Sequence, residues 1–211
     1  MHYEILVEGQ SELTALSIML PKILGEYGKL HTWKIHKHQG IGSIPKDLNN
    51  VKSTNRSLLG QLPAKINAYS AIKDNNRAIL VLLDLDNADM TTMLAELKKL
   101  KPEGSQLKIE FCFAIEELEA WFLGDNKAIG KYQSLHDQAQ YRSYKQDSIC
   151  GTWETLARIV NSSALQYPKH DRRVLMEKCM WAKKITPLMD VNSNLSPSFN
   201  YFKKCLATLA I

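Results

Sequence analysis

The stretch Ala78-Ile79-Leu80-Val81-Leu82-Leu83-Asp84-Leu85-Asp86 constrains this chain most, because six apolar residues run directly into an Asp-x-Asp pair. A short continuous apolar run rich in branched side chains fits a strand buried on both faces of a parallel sheet. Its acidic end is then a carboxyl terminus of the sheet, where open α/β folds gather their ligands. Alternation along the strand places Asp84 and Asp86 on one face. Two carboxylates at one place repel unless a cation lies between them. A hard ion such as Mg2+ or Mn2+ suits oxygen ligands of this kind. The plainer reading is turn chemistry, in which an aspartate caps the following helix.

Other Asp-x-Asp chemistries can be weighed against the neighbouring residues. A calcium loop of the EF-hand type needs Gly at its sixth position and Glu at its twelfth, which here are Asp89 and Ala95. A haloacid-dehalogenase-like phosphatase usually carries a Thr two residues after its second Asp, where this chain has Ala88. That class stays as an alternative, and a sugar-nucleotide transferase is weaker still.

The pattern of apolar run, acid, then helix occurs three times. His2 to Val7 reads as a strand leading into Glu8-Gly9-Gln10-Ser11-Glu12, and Leu13, Leu16, Leu20, Ile23, Leu24 and Tyr27 follow at helical spacing. Gly28 is the expected stop, and Pro21 is expected to kink or divide the helix. Gly9 allows a sharp turn that leaves Glu8 at the strand tip. Glu12 falls in the first helical turn, where it can be a ligand or simply suit the helix dipole. Leu107 to Ile115 is the third such strand and runs into Glu116-Glu117-Leu118-Glu119-Ala120-Trp121. There Glu117 and Glu119 flank the inward face of the helix, and Glu116 points away from it. Thr32 to His38 is a further strand, ending at Gly40-Ile41-Gly42. His36 and His38 on it could pair on a metal or merely share a half-exposed face, and Lys34, Lys37 and Lys46 around the glycines could meet phosphate. Asn49 to Gly60 reads as loop, Leu62 to Ile72 and Met90 to Leu100 as helices.

Strand–helix alternation through Leu123 predicts an α/β fold with a mostly parallel sheet of about four strands flanked by helices. Past Asp125 the strand signal fades, leaving helices over Thr152 to Val160, Arg172 to Lys184 and Ser198 to Leu209, with polar connections such as Gln133 to Asp147. The expected division is an α/β domain over residues 1–124 and a basic, mainly helical extension over 125–211 packed on it. Charge follows that division: residues 1–124 carry 14 Lys+Arg against 15 Asp+Glu, and residues 125–211 carry 13 against 7. A cationic part beside an acidic site fits a polyanionic partner, and Arg172, Arg173, Lys183 and Lys184 are the candidate phosphate contacts. A solvated cationic surface, or arginines that serve a helix end, is the competing account. Cys112, Cys150, Cys179 and Cys205 form no Cys-x-x-Cys pair, which predicts reduced thiols in a cytoplasmic protein. No apolar run reaches membrane-spanning length, and the first residues read as a strand rather than a signal peptide.

Glu8-Gly9 after a first strand, Asp84-Leu85-Asp86 after a later one and a following acidic cluster resemble the TOPRIM domain of topoisomerases, primases and OLD-family nucleases. The resemblance covers roughly residues 1–124. More narrowly, the chain resembles small stand-alone bacterial TOPRIM-like proteins, through Glu8 to Glu12, Glu119-Ala120-Trp121 and Ser196-Pro197-Ser198-Phe199. It departs from them at Ile41, where such relatives often carry Lys. The resemblance implies a Rossmann-like TOPRIM fold and Mg2+- or Mn2+-dependent phosphodiester chemistry. Glu8 would be the general acid or base, and Asp84, Asp86 and Glu119 the metal ligands, with Glu12 a further ligand candidate. A topoisomerase is not expected, because there is no room for its tyrosine domain, nor a primase, for want of a zinc module or helicase-binding region, so a nuclease acting on DNA or RNA is the expected activity. By analogy the partners would be nucleic acid, a neighbouring ATPase in anti-phage defence and a second copy of the chain. A metal- or effector-binding module without turnover uses the same carboxylates and stays open beside the enzyme.

Overall fold

The computed structural model describes residues 1–48, 55–72 and 74–210. Four strands, β1 (His2–Val7), β2 (Thr32–Lys37), β3 (Arg77–Asp84) and β4 (Lys108–Ala114), form one sheet in the order β2-β1-β3-β4, all parallel. Helices α1 (Gln10–Leu24), α2 (Leu58–Ala71) and α3 (Met90–Lys98) connect the strands in the Rossmann-like manner expected of βα units. The apolar run from Ala78 to Leu83 is buried throughout, as a strand covered on both faces must be.

Each strand feeds two cores by alternation. Tyr3, Ile5, Val7, Leu80, Leu82, Cys112 and Ala114 face one side, and Leu6, Ile79, Val81, Leu83, Phe111 and Phe113 face the other with α2 and α3. The first core continues past residue 124. It takes in Trp153, Trp181, Phe199, Phe202 and Leu206 from α7 (Thr152–Ile159), α8 (Arg172–Ile185) and α9 (Pro197–Leu209). Tyr3, in the first strand, donates its hydroxyl to the Leu206 carbonyl at 2.8 Å. The shorter helices α4 (Glu119–Leu123), α5 (Asn126–Tyr132) and α6 (Gln138–Ser143) lie between.

Several local expectations are corrected. Helix α1 ends at Leu24, capped by Gly25 at φ 82°, three residues before Gly28, and Pro21 lies in its last turn without dividing it. Pro21 lacks the N–H that would bond the Ser17 carbonyl, and the helix runs on only three residues past it. Helix α2 starts at Leu58, within the stretch read as loop, because Leu58, Leu59 and Leu62 have an apolar face to bury; residues 49–54 of that stretch lie outside the described residues. The connection from Gln133 to Asp147 contains α6, capped by Asp137 and burying no residue.

The strand order fixes where a ligand would collect. The chain moves from β1 outward to β2, then returns across β1 to β3, so the crevice between the carboxyl ends of β1 and β3 is the switch point of the sheet. Glu8 follows β1 directly, and Asp84 is the last residue of β3.

Candidate metal centre

At that crevice Glu8 bridges the two central strands, its Oε1 accepting from the Asp84 backbone N–H at 2.9 Å. Glu12 enters from the first turn of α1. Gly9 makes room for it: the glycine backbone is extended at φ −150°, and a Cβ there would lie 3.2 Å from Glu12 Oε2. The requirement is therefore close approach rather than the sharp turn expected from the sequence.

Asp84 and Asp86 reach the site differently from the expected alternation. The strand ends at Asp84, and Asp86 sits beyond it in a left-handed conformation at φ 46°, its N–H donated to the Glu116 carbonyl at 2.9 Å. Of the third acidic cluster, Glu117 and Glu119 are buried, at 2% and 0% exposure, and turn into the site. Glu116 turns the other way. Its carboxylate accepts from the backbone N–H groups of Cys150, Gly151 and Thr152, each at 3.0 Å, and from the Thr152 hydroxyl. It thereby caps α7 from a distant part of the chain.

Two lysines complete the arrangement, and both come from the helical C-terminal region. Lys178 reaches Glu117 Oε1 at 3.2 Å and Glu119 Oε2 at 3.3 Å. Lys169 reaches Asp86 Oδ1 and Glu117 Oε1, each at 2.8 Å. Sequence reading named neither. Lys178 did carry a signal, since Val174, Trp181 and Ile185 form the buried stripe of α8 and a lysine at 178 interrupts it at helical spacing.

Six carboxylates (Glu8, Glu12, Asp84, Asp86, Glu117 and Glu119) thus meet two ammonium groups, an excess of negative charge in a largely buried place. The titration behaviour follows. Burial pushes Glu8 up to about 8, reinforced by Glu12 and Asp86, against the lowering effect of the Asp84 N–H. Burial likewise raises Glu119 to about 7, and holds Glu12 above and Asp84 well above their ordinary values. Burial alone would lower Lys178, but Glu119, Glu117 and Asp84 outweigh it and raise it. Lys169 is raised by Asp86 and Glu117 in the same way, against its own partial burial.

Among the described residues no three His, Cys, Asp or Glu side chains are drawn together in the arrangement that holds an ion. The donor set nonetheless fits a hard cation. Every acidic group offers oxygen alone; Asp84 Oδ1, Glu117 Oε2 and Glu119 Oε1 are buried without a hydrogen bond, and Glu119 Oε2 has only the Lys178 ion pair. Such acceptors are costly to leave unmet.

The motifs near the end of the chain act on this site indirectly. Trp121, two residues past Glu119, donates its indole N–H to Ser198 Oγ at 3.0 Å, stacks edgewise on Phe199 and has its carbonyl held by Asn194 Nδ2 at 2.8 Å. Asp147 fixes the same turn by accepting from Ser196 Oγ and the Ser198 N–H. Glu119-Ala120-Trp121 and Ser196-Pro197-Ser198-Phe199 therefore pack as one unit that sets α4.

The remaining candidates lie elsewhere. Arg172 and Arg173 open α8, and Lys183 and Lys184 close it. All four are exposed, but Arg173 is held by Asp171 at 2.7 Å and 2.9 Å and stacks 3.4 Å from the Tyr167 ring centre. His36 pairs with Glu4 at 2.6 Å and His38 Nδ1 lies 2.8 Å from the Val7 carbonyl, so the two do not converge. In the glycine loop the N–H groups of Gln39 and Gly40 are spent on the Arg56 and Glu8 carbonyls, and Lys37 donates to Gln10.

Fold and site together define an α/β protein with an acidic, lysine-compensated crevice at the switch point of a parallel sheet. The chain belongs to the family described as "Domain of unknown function (DUF4276)", whose model matches residues 7–207. No curated protein and no solved structure matches it. No helix among the described residues is long and apolar enough to cross a membrane.

Proposed function

We propose that the protein is a Mg2+- or Mn2+-dependent phosphodiesterase that cuts nucleic acid, of the TOPRIM-like kind its motifs resemble. The observation that carries the reading is the set of buried carboxylate oxygens without hydrogen bonds at the switch point, from Asp84, Glu117 and Glu119. Asp84 and Glu119 would hold the ion, with Asp86, Glu12 and Glu117 completing or adjusting its shell. When bound, such an ion polarises a phosphoryl oxygen and makes water a stronger acid. Glu8 supplies the proton transfer. Its carboxylate stands at the crevice between the two central strands, within reach of a water or leaving oxygen held there, which is the placement general acid–base catalysis needs. The Asp84 N–H holds one of its oxygens, which orients the other toward the crevice.

The cationic groups beyond the site would guide the polyanion, Arg172, Lys183 and Lys184 by exposure, with Arg173 less available because Asp171 already occupies it. A cytoplasmic setting, a partner ATPase, a role in phage defence and self-association belong to the same proposal through the resemblance. A second reading, a metal- or effector-binding module without turnover, is favoured by the two lysines that already neutralise part of the cluster.

Purified protein is to be incubated with single- and double-stranded DNA and RNA in Mg2+ or Mn2+, and Mn2+ binding measured by calorimetry beside Asp84→Asn and Glu119→Gln. Cleavage that disappears in both variants together with Mn2+ affinity is the expected result. Metal binding without cleavage of any substrate selects the non-catalytic reading, and unchanged Mn2+ binding in both variants removes the metal site.

A further inference from the structure

The two lysines in the cluster are held in different ways. Lys178 is 12% exposed and belongs to the buried stripe of α8, so its ammonium cannot leave without opening a helix face. Lys169 is 40% exposed and stands on the connection before α8. Its Nζ spans Asp86 Oδ1 and Glu117 Oε1, joining the half-exposed rim of the crevice to its buried floor.

We propose that Lys169 is a latch on this site: its ammonium occupies Asp86 and Glu117 in the metal-free protein, and a divalent ion enters by taking those carboxylates from it. The inference rests on the reading of the crevice as a metal site. The surrounding backbone is anchored without the lysine. Asp171 donates its N–H to the Pro168 carbonyl at 2.8 Å, caps α8 and grips Arg173, whose guanidinium covers Tyr167. On the other side Leu85 and Asp86 donate their N–H groups to the Ala114 and Glu116 carbonyls, each at 2.9 Å. Only the flexible lysine arm has to move.

The latch also gives a basis for selectivity. A monovalent ion brings no more charge than the ammonium it would displace, whereas a divalent ion brings twice as much to the same oxygens. Charge excess in the cluster favours that exchange, and the orphaned oxygens of Asp84 and Glu119 supply further ligands to the incoming ion.

The test is Mn2+ calorimetry on the full chain as wild type, Lys169→Met and Arg172→Met, with melting temperatures of the metal-free proteins. Arg172 removes the same charge three residues away without touching the carboxylates. Losing one exposed and one part-buried pairing is expected to tighten Mn2+ binding about tenfold in Lys169→Met. Arg172→Met should bind as wild type does. Wild-type binding left unchanged or weakened by Lys169→Met, with the melting temperature preserved, overturns the latch alone. An equal gain in Arg172→Met overturns it too, since general charge would then be the cause. Absence of Mn2+ binding in wild type and Lys169→Met alike overturns the metal reading and the latch together.

Discussion

Glu8 concentrates the chemistry of a single residue: a carboxylate at the switch point, hydrogen-bonded to the neighbouring strand and raised to about 8 by burial. Because its folded pKa lies above the ordinary 4.5, the protonated carboxyl contributes fully to stability below that value, and the contribution is lost as pH rises through about 8. Glu119, raised to about 7, acts in the same direction. Metal-free protein is therefore expected to melt lower as pH rises from about 5 to about 8. Glu8→Gln should flatten that decline, and thermal scans of both proteins across the range would expose an error if they stay parallel. In the cleavage assay the same variant should lose about 10²- to 10⁴-fold in rate while retaining substrate binding. Near wild-type cutting would remove Glu8 from the mechanism. Lys178 fails in the opposite sense. Lys178→Met strands buried carboxylates and should cost about 3–5 kcal/mol. Added Mn2+ should recover more melting temperature in that variant than in wild type, and an equal gain in both would count against the shared charge.

Elements are tied to the site by side chains that cap one another at long range. Glu116 belongs to the same acidic run as Glu117 and Glu119 but faces away from them, and it satisfies the free N–H groups at the start of α7. Glu116→Ala is expected to cost about 1–2 kcal/mol, as lost helix caps do, and leave Mn2+ affinity as it was. Calorimetry showing a large affinity loss at unchanged stability would instead make Glu116 a ligand. Asn194 does for the end of α4 what Glu116 does for the start of α7, donating its amide to the Trp121 carbonyl at 2.8 Å, while the Trp121–Ser198 bond fixes the side chain. These links explain why α4, only Glu119–Leu123 in length, holds a buried carboxylate in place despite having few backbone bonds of its own.

Over the whole molecule, the first core runs from β1 to α9, so the acidic sheet and the cationic helical region share one apolar interior. That packing is what lets Lys169 and Lys178 reach carboxylates contributed by residues 84–119. It also leaves Lys183 and Lys184 exposed at the end of α8. If those two meet phosphates, replacing both with alanine should reduce the slope of log affinity against log salt by about 2 on duplex DNA. A slope unmoved by the double substitution would place the nucleic-acid contact elsewhere.

The sequence alone determined the strands and their direction, because a run such as Ala78–Leu83 is long enough only for a strand and apolar enough only for one covered on both faces. It also placed the acidic tips at one end of the sheet, since parallel strands carry their carboxyl ends together. Local signals of that kind lie within a few residues of one another and survive without tertiary information. The orientation of Asp86 was beyond them, because its left-handed turn depends on the Glu116 carbonyl 30 positions along the chain. So were the partners of the third cluster: that Glu116 caps α7 and that Glu117 and Glu119 meet Lys178 is decided only by the docking of α7 and α8. The lysines were the least legible of all. An ammonium finds its carboxylate partner through space, at 2.8 Å for Lys169 and Asp86, and a separation of 83 positions along the chain carries no trace of that pairing.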